Sequence, residues 1–144
     1  MIRLAGIGHV LLRVADGVFD HPIEERASAL FLSDPRHHLA AALDGGVMVG
    51  FASAVHYFHP DKPVPELFVN EVGVAPSHEG RGLGKAILRA LFRHGRDLGC
   101  AQAWVLTDRS NARALRLYSA SGGEEAPGDH VMFSFSLEPT APSQ

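Results

Sequence analysis

The stretch HEGRGLGKAIL, residues 78–88, decides how this chain can be interpreted. It combines three glycines at alternate positions with two cations, and an apolar run with helical spacing follows: Gly80, Arg81, Gly82, Gly84 and Lys85. A bare backbone at a helix start leaves free N–H groups at the positive end of the dipole, and no Cβ keeps an anion away. The stretch therefore predicts a loop that binds a phosphate-like group. The alternative is a loop that merely needs positive φ.

Two common nucleotide-binding loops do not fit this spacing. A P-loop reads GxxxxGK followed by Ser or Thr, but the interval from Gly80 to Gly84 is one residue short and Ala86 replaces the hydroxyl. The dinucleotide fingerprint GxGxxG fails because Lys85 stands where its third glycine is required. The loop is therefore predicted to bind an anion of another kind.

The helices and strands around the loop are predicted from hydrophobic periodicity and from the proline and glycine residues that end them. A β-rich run, LFVNEVGVAP, ends at Pro76 before the loop. Helical spacing follows at Leu83, Ile87, Leu91, His94 and Leu98, and Gly99 is the expected C-cap. The loop is thus expected to connect a strand to an amphipathic helix.

The segments before this unit predict two helices, an edge strand and a hairpin. Asp44-Gly45-Gly46 lies between apolar runs and predicts a hairpin with strands at about 37–43 and 46–57. A Pro-rich loop at 59–66 follows. Towards the N-terminus we expect an edge strand over 1–5, a helix over 7–17, and a helix with Pro22 at N1 that ends before Asp34.

The segments after it predict a further β-α-β order. AWVLT, residues 103–107, is expected to be a short buried strand, and HVMFSFSL, residues 130–137, alternates like a final strand. Between them, Asp108 or Ser110 is the expected cap of a helix that carries Ala114, Leu117 and Tyr118, and Gly122-Gly123 ends it. The fold class is therefore mixed α/β (α+β).

Composition limits the classes of protein this chain can belong to. Its 144 residues, 46% hydrophobic and 20% charged, predict one globular domain over 1–138 with a flexible tail over 139–144. A net charge of −3 argues against nucleic acid and membrane surfaces as partners. We see no signal peptide and no apolar run of ~18 residues. Because a lone Cys100 cannot form an internal disulfide, we expect a cytoplasmic protein in which this thiol serves packing.

With its surroundings, the stretch resembles motif A of the GNAT superfamily of N-acetyltransferases. That motif has Gln or Arg, then two residues, Gly, one residue, and Gly or Ala, and it follows a strand. Here it corresponds to residues 79–84, preceded by NEVGVAP; NARALRLYSASGG, residues 111–123, is similar to a later segment of the family. The resemblance spans roughly residues 37–137. It departs from the family at Glu79, where Gln or Arg is usual, and it extends less specifically to the aminoglycoside 3-N-acetyltransferase branch.

This resemblance implies a mostly antiparallel sheet that is splayed at an acetyl-CoA site. The implied pyrophosphate cradle comprises Gly80, Arg81, Gly82, Leu83, Gly84 and Lys85. A glycine inside a strand often marks a bulge or a close backbone approach, and the resemblance implies that Val72, Gly73 and Val74 pair with the pantetheine arm. Asn111 matches a cofactor-contacting position, although it could equally be a helix-start residue.

Two residues are candidates for the chemistry. The resemblance implies that the phenol of Tyr118 donates its proton to the departing thiolate; the alternative is a core tyrosine. Glu71 is a carboxylate in an apolar strand, where burial can raise its pKa so that it takes a proton from an ammonium group or binds a cation. A solvent-facing glutamate is the alternative, and Glu66 and Asn70 are weaker candidates.

The implied reaction is direct transfer of an acetyl group from acetyl-CoA to the primary amine of a small cationic molecule, such as an aminoglycoside, in a ternary complex. The alternatives are acetylation of a protein lysine or N-terminus, and an acyl-CoA sensor without turnover, which Glu79 favours. Family members are often dimers, so the resemblance allows a homodimer. Histidine spacing does not match a zinc motif, and no metal is expected. If the 59–66 loop folds over, His56, His59 and Asp61 are candidates for the substrate mouth.

Overall fold

The computed structural model describes residues 2–5 and 13–139. The described strands are β1 (Ile2–Ala5), β2 (His37–Asp44), β3 (Val47–Tyr57), β4 (Glu66–Val74) and β5 (Ala103–Val105). The described helices are α1 (Glu25–Ser33), α2 (Leu83–Asp97) and α3 (Ala112–Ala120), with a 3-10 turn at Pro76–His78. The sheet order is β1-β2-β3-β4-β5, antiparallel except for the parallel β4–β5 pair. The mixed fold class and the predicted edge strand are confirmed.

The β2–β3 hairpin forms where the sequence predicts it. Gly45 and Gly46 have φ values of +58° and +82°, which places both turn residues in the left-handed region that a two-residue hairpin turn requires. The strands on either side follow the predicted ranges within a residue or two.

Helix α2 covers one face of the sheet and forms the core with it. Its apolar stripe buries Leu83, Ile87, Leu88 and Leu91 against β2, β3 and β4. Gly95 lies so close to Leu67 that an added Cβ would stand 3.0 Å from its side chain. The C-cap residue is Leu98, one position before the predicted Gly99, and Gly99 follows it with φ of +90°.

A register shift in β4 decides which of its side chains face α2. Ala54 pairs with Val69, whereas the preceding Ser53 pairs with Glu71, so Asn70 is the extra residue of a bulge. Because a bulge inverts the alternation of a strand, Val69 lies on the α2 face while Glu71 lies on the opposite face, with Ser53. A bulge at Gly73, which the sequence allows, is wrong, since Gly73 pairs regularly with Phe51.

The predicted N-terminal helices need correction. Helix α1 begins at Glu25 rather than at Pro22, because the carboxylate of Glu24 accepts the main-chain N–H groups of Arg26 and Ala27 at 3.2 and 2.6 Å. Residues 13–17 are not helical: the Ala15 N–H donates to the Met48 carbonyl at 2.9 Å instead. The rest of the helix predicted over 7–17 lies outside the described residues, as do residues 140–144 of the tail.

The C-terminal part differs most from expectation. Strand β5 is not buried, since Trp104 on it is 39% exposed. Helix α3 is capped by Asn111 rather than by Asp108 or Ser110, and it ends before Gly122 as predicted. The predicted final strand over 130–137 is wrong: these residues form no strand and lie exposed. Within the described ranges, no helix has the length and apolar character needed to cross a membrane.

Candidate active site

The glycine loop opens directly onto the start of α2. Gly80 and Gly82 have φ of +76° and +74°, and an added Cβ at either would meet no atom within 4 Å. Gly82 is the N-cap residue, without a side-chain cap, and the Ala86 N–H donates to its carbonyl at 3.2 Å. The N–H groups of the first turn, which includes Leu83 and Lys85, are therefore available to an anion. This geometry fits a pyrophosphate.

Gly84 serves helix packing more directly than cofactor access. A Cβ at Gly84 would stand 3.1 Å from both terminal methyl carbons of Leu117 on α3. This glycine therefore lets α3 approach the first turn of α2. The side chains of Arg81 and Lys85 are exposed beside the loop.

The unusual carboxylate at the start of the loop has a partner. Glu79 forms an ion pair with the guanidinium of Arg113 on α3. Because Arg113 offsets its charge, Glu79 does not leave an uncompensated anion beside the phosphate-binding amides. No pattern in the sequence indicates this pair, since the two residues are adjacent only when α3 packs against α2.

His78 ties the other side of the loop to the β2–β3 hairpin. Its Nε2 lies 2.8 Å from Oδ2 of Asp44, and its Nδ1 lies 2.8 Å from the Ser77 hydroxyl. The hydrogen bond to His78 lowers the pKa of Asp44. The glycine loop is thus held on one side by α3, through Arg113 and Glu79, and on the other side by the β2–β3 hairpin, through Asp44 and His78.

The open part of the sheet lies beyond the last pair between β4 and β5, Val69 with Val105. Strand β5 pairs only with Leu67, Phe68 and Val69 of β4. Beyond that point Val72, Gly73 and Val74 pair with β3 alone among the described residues. Their outward main-chain groups are therefore free to pair with an extended ligand, and contact with the pantetheine arm stays a prediction for this segment.

Gly73 is required by a close approach. A Cβ there would collide with the main-chain carbonyl oxygen of Val18 and lie 2.8 Å from a ring carbon of Phe51. The sequence suggests either a bulge or a close approach at this glycine, and the structure has the close approach. The segment that begins at Val18 thereby lies directly over β4.

That segment and α1 border an open cavity of about 500 Å³ on the face of the sheet opposite α2. Glu71, Asn70 and Ser53 supply polar groups from the sheet, and Asp20 and His21 supply them from the covering segment. The remaining lining is mostly apolar and includes Phe19, Ile23, Phe31, Leu39 and Phe51. An ammonium group attached to a partly apolar body suits such a lining.

Burial raises the pKa of Glu71, and the negative charge of Asp20 raises it further, while His21 lowers it. A carboxylate with a raised pKa is a better proton acceptor near neutral pH than an ordinary glutamate. Glu71 is only partly exposed and lines the cavity, which favours a role at the site over the alternative of a solvent-facing glutamate.

Tyr118 and Asn111 both belong to α3 and its cap. Burial raises the pKa of Tyr118, so its phenol carries a proton at neutral pH, as a proton donor must. Its ring packs against the core. The side-chain oxygen of Asn111 accepts the Ala114 N–H at 3.1 Å, so this oxygen is committed to capping α3.

Comparison with known proteins agrees with this geometry. The profile of the Acetyltransferase (GNAT) family matches residues 6–122. The chain belongs to the GNAT family. The predicted resemblance is thereby confirmed at the level of the superfamily.

Two relatives in sequence have named activities. This GNAT chain is 40% identical over 91 residues to the mycothiol acetyltransferase of Pseudarthrobacter chlorophenolicus, a match that covers 62% of the chain but 28% of that protein. It is 35% identical over 105 residues to the N-alpha-acetyltransferase RimI of Mycobacterium tuberculosis, covering 73% of the chain and 63% of the relative. The chain thus spans less than two thirds of the length of either relative.

Solved structures share the fold. An aminoglycoside acetyltransferase from an uncultured soil metagenomic sample superposes with a TM-score of 0.72 at 20% identity, covering 83% of this chain and 78% of that one. An aminoglycoside N-acetyltransferase in complex with CoA gives a TM-score of 0.67 at 26% identity, covering 78% and 74%. The first likeness concerns the fold alone.

Several other candidates in this GNAT chain are engaged elsewhere. Glu66 accepts hydrogen bonds from Tyr57 at 2.9 Å and Lys62 at 2.7 Å, and His59 lies 3.6 Å from it. These residues do not line the cavity, nor does Asp61. His56 faces α2 and contacts His38. The role of His56, His59 and Asp61 at a substrate mouth stays a prediction, although none of them lines this cavity.

Metal and thiol chemistry gain no support from the described part of the chain. Over residues 2–5 and 13–139, no group of three or more His, Cys, Asp or Glu side chains is arranged to hold a metal ion. Burial raises the pKa of Cys100, which suits the predicted packing thiol.

The sequence-based prediction missed Asp20 and Arg113 as site residues. Asp20 precedes His21-Pro22, in a segment whose position over the sheet follows from the contact of Val18 with Gly73. A single sequence carries no signal for that contact. Arg113 lies within the family-like segment NARALRLY, but its partner is in a different motif.

Proposed function

We propose that the chain is an acetyl-CoA-dependent N-acetyltransferase that acts on the primary amine of a small cationic molecule. The observation that carries the proposal is the cavity in which Glu71 and Asp20 face the same space, next to the open edge of β4. A third carboxylate of the lining, Glu24, is engaged in capping α1. The carboxylates of Glu71 and Asp20 in a mostly apolar cavity favour an ammonium group over an anionic or neutral acceptor. An aminoglycoside is one such acceptor.

Different residues of the chain are assigned to different parts of acetyl-CoA. Main-chain N–H groups from Gly80 to Lys85 bind the pyrophosphate, with Arg81 and Lys85 adding positive charge, and Val72 to Val74 hold the pantetheine arm. Bound acetyl-CoA supplies an acetyl group activated as a thioester. Asn111, with its oxygen engaged in the cap, contributes only its amide NH₂.

Glu71 accepts a proton from the ammonium form of the acceptor, directly or through water, and leaves a neutral amine that can attack. Tyr118 gives its phenolic proton to the sulfur that departs. The raised pKa of each group suits its role, because the carboxyl is a stronger base than usual and the phenol stays protonated.

A protein N-terminus is the second candidate acceptor. The observation that favours it is the 35% identity to RimI over 73% of this chain. The acyl-CoA sensor loses its supporting feature, because Arg113 offsets the charge of Glu79. The chain otherwise retains a base and an acid.

The test is release of free CoA from acetyl-CoA with a panel of aminoglycosides, polyamines and short peptides, checked by mass spectrometry of the acceptor. We expect turnover with a cationic small molecule and a loss of rate in Glu71→Gln and Tyr118→Phe. Binding of acetyl-CoA by calorimetry without turnover of any amine would favour the sensor. Turnover of peptides alone would favour the second candidate.

A further inference from the structure

An aromatic cluster lies on the β4–β5 side of the sheet, beside the cavity rather than in its lining. The ring centroids of Phe68 and Trp104 are 4.4 Å apart, and the indole N–H of Trp104 donates to the Tyr57 hydroxyl at 2.6 Å. That hydroxyl donates to Glu66 at 2.9 Å, and Lys62 donates to the other oxygen of the same carboxylate at 2.7 Å. A ring contact and a hydrogen bond thus fix the orientation of the indole. We call Tyr57, Phe68 and Trp104 the aromatic platform.

The aromatic platform lies on the same face of the sheet as the candidate base. Side chains alternate along a strand, and Val69 of β4 faces α2, so Phe68 lies on the opposite face. The bulge at Asn70 brings Glu71 to that opposite face as well. Trp104 pairs with Phe68 across β4 and β5 and contacts its ring, so it shares the face.

This side of the face is open to a ligand. Trp104 is 39% exposed although the ring of Phe68 contacts it. Asn70, which lies between Phe68 and Glu71 in the chain, is exposed and also lines the cavity. Helix α1 packs on β2, on the other side of the same face. A ligand whose amine reaches Glu71 can therefore extend along β4, past Asn70, to the aromatic platform.

The position of the platform sets the length of such a ligand. Phe68 and Glu71 are three positions apart on β4, which corresponds to about 10 Å at the rise of an extended strand. A molecule that contacts both must therefore place two groups about 10 Å apart.

The chemistry of the platform favours a cation at its end of the site. The faces of aromatic rings attract ammonium groups, and the face of tryptophan does so most strongly. Hydrogen bonds from Lys62 and Tyr57 lower the pKa of Glu66, so this carboxylate is ionised at neutral pH. Because Glu66 offsets the charge of Lys62, the lysine leaves no uncompensated positive charge beside the rings.

We propose that the acceptor carries a second ammonium group about 10 Å from the amine that is acetylated, and that Trp104 binds this second group by a cation–π contact while Glu71 faces the first. Because the reacting amine is the one at Glu71, this two-point binding rests on the proposed function. Linear polyamines and aminoglycosides of two or more rings meet the requirement, whereas monoamines and short diamines do not. Trp104 determines specificity and takes no part in the chemistry.

The single tryptophan of the chain permits a direct test by fluorescence. Linear diamines with about three to about ten methylene groups are titrated in the presence of saturating CoA, which carries no acetyl group to transfer; their lengths bracket about 10 Å. We expect a saturable change in the emission of Trp104, with a Kd at least about fivefold lower for the long diamines than for the shortest. Butylamine is the monoamine control.

The possible results separate the platform from the reaction. Emission that responds to no diamine, or responds equally to butylamine and to every diamine, overturns the proposal. A response confined to long diamines, with no acetylation of any amine from acetyl-CoA, would retain the two-point binding and refute the proposed function. Acetylation of amines without any effect of their length would retain the proposed function and refute the platform.

Steady-state kinetics of variants provide the second test. Trp104→Leu should lower the ratio of kcat/KM for a long diamine to that for a short one by about fivefold, mainly through the KM of the long diamine. Phe58→Leu is the matched control, because Phe58 is 70% exposed but contacts His56, which faces α2. Repeating the comparison with a two-ring aminoglycoside identifies which class of polycation is preferred.

A second variant keeps the test decisive if Trp104→Leu does not fold. Tyr57→Phe keeps the phenyl ring and removes only the hydroxyl that accepts the indole N–H, so the same ratio should fall by about twofold. An unchanged ratio in folded Trp104→Leu, or in folded Tyr57→Phe where the first variant is lost, would show that the second ammonium group binds elsewhere.

Discussion

The expected role of Glu71 as a proton acceptor depends on its surroundings, which raise its pKa. The pH dependence of kcat/KM can therefore test this role. Its raised pKa comes first from burial and next from the charge of Asp20. If Glu71 must be deprotonated to accept a proton, kcat/KM falls as pH drops through that raised pKa. Glu71→Gln is expected to lower kcat/KM by about 100-fold and to remove this acidic limb.

Asp20→Asn provides the sharper test of the same residue. Removing the negative charge of Asp20 lowers the pKa of Glu71, so the acidic limb of kcat/KM should move to lower pH while the rate at its plateau changes less. The control is Asp61→Asn, which changes the same charge outside the cavity. If the acidic limb of the kcat/KM profile did not move in Asp20→Asn, that limb would report the titration of a group other than Glu71.

Arg113 is expected to protect cofactor affinity through Glu79. In Arg113→Ala the Glu79 carboxylate loses its partner beside the anion-binding loop, and the Kd for acetyl-CoA should rise by about two- to five-fold at low salt, since exposed ion pairs contribute modestly. Glu79→Gln in the same background should restore the affinity. Arg116→Ala, on the same helix, is the matched control, and calorimetry measures each of these proteins. A double variant no better than Arg113→Ala would show that the guanidinium acts directly.

At the scale of elements, the segment that begins at Val18 can pack on β4 only because residue 73 is a glycine without a side chain. Gly73→Ala places a Cβ against the Val18 carbonyl, so the segment must move away from the cavity. We expect a loss of about 1–3 kcal/mol in the free energy of unfolding and a higher KM for the amine. Gly128→Ala, where a Cβ meets nothing within 4 Å, is the control. Urea denaturation and steady-state kinetics measure both; a KM unchanged in Gly73→Ala would disconnect the segment from the acceptor.

The elements also explain what the sequence could and could not predict. The hairpin and α2 were predictable because Gly45-Gly46 and the spacing of Leu83, Ile87 and Leu91 are local signals. The bulge at Asn70 was not, since it depends on the register against β3, and only that register turns Glu71 into the cavity. The strand predicted over HVMFSFSL, residues 130–137, does not form: its alternating pattern is local, whereas a strand needs a partner, and these residues pair with no strand among the described residues.

For the whole molecule, three histidines connect β2, β3 and α2 across the core. His38 is 3% exposed; its Nε2 lies 2.7 Å from Nδ1 of His56, and its Nδ1 lies 3.1 Å from Nε2 of His94. Burial, then the charges that His94, His56 and His37 acquire on protonation, lower the pKa of His38 to about 4. Burial also lowers the pKa of His94, against the opposing charge of Asp97.

These shifts predict a stability that declines with acid. Because the folded pKa of His38 lies below its ordinary value of 6.5, the unfolded chain binds a proton that the folded chain excludes between about pH 6.5 and 4. The contribution of His38 to the free energy of unfolding is therefore fully present above pH 6.5. It should fall by up to about 3 kcal/mol as the pH drops towards 4. His38→Gln should flatten this dependence, and His37→Gln, its more exposed neighbour, should retain it, as measured by urea denaturation at each pH. An equally steep decline in folded His38→Gln would assign the titration to other groups.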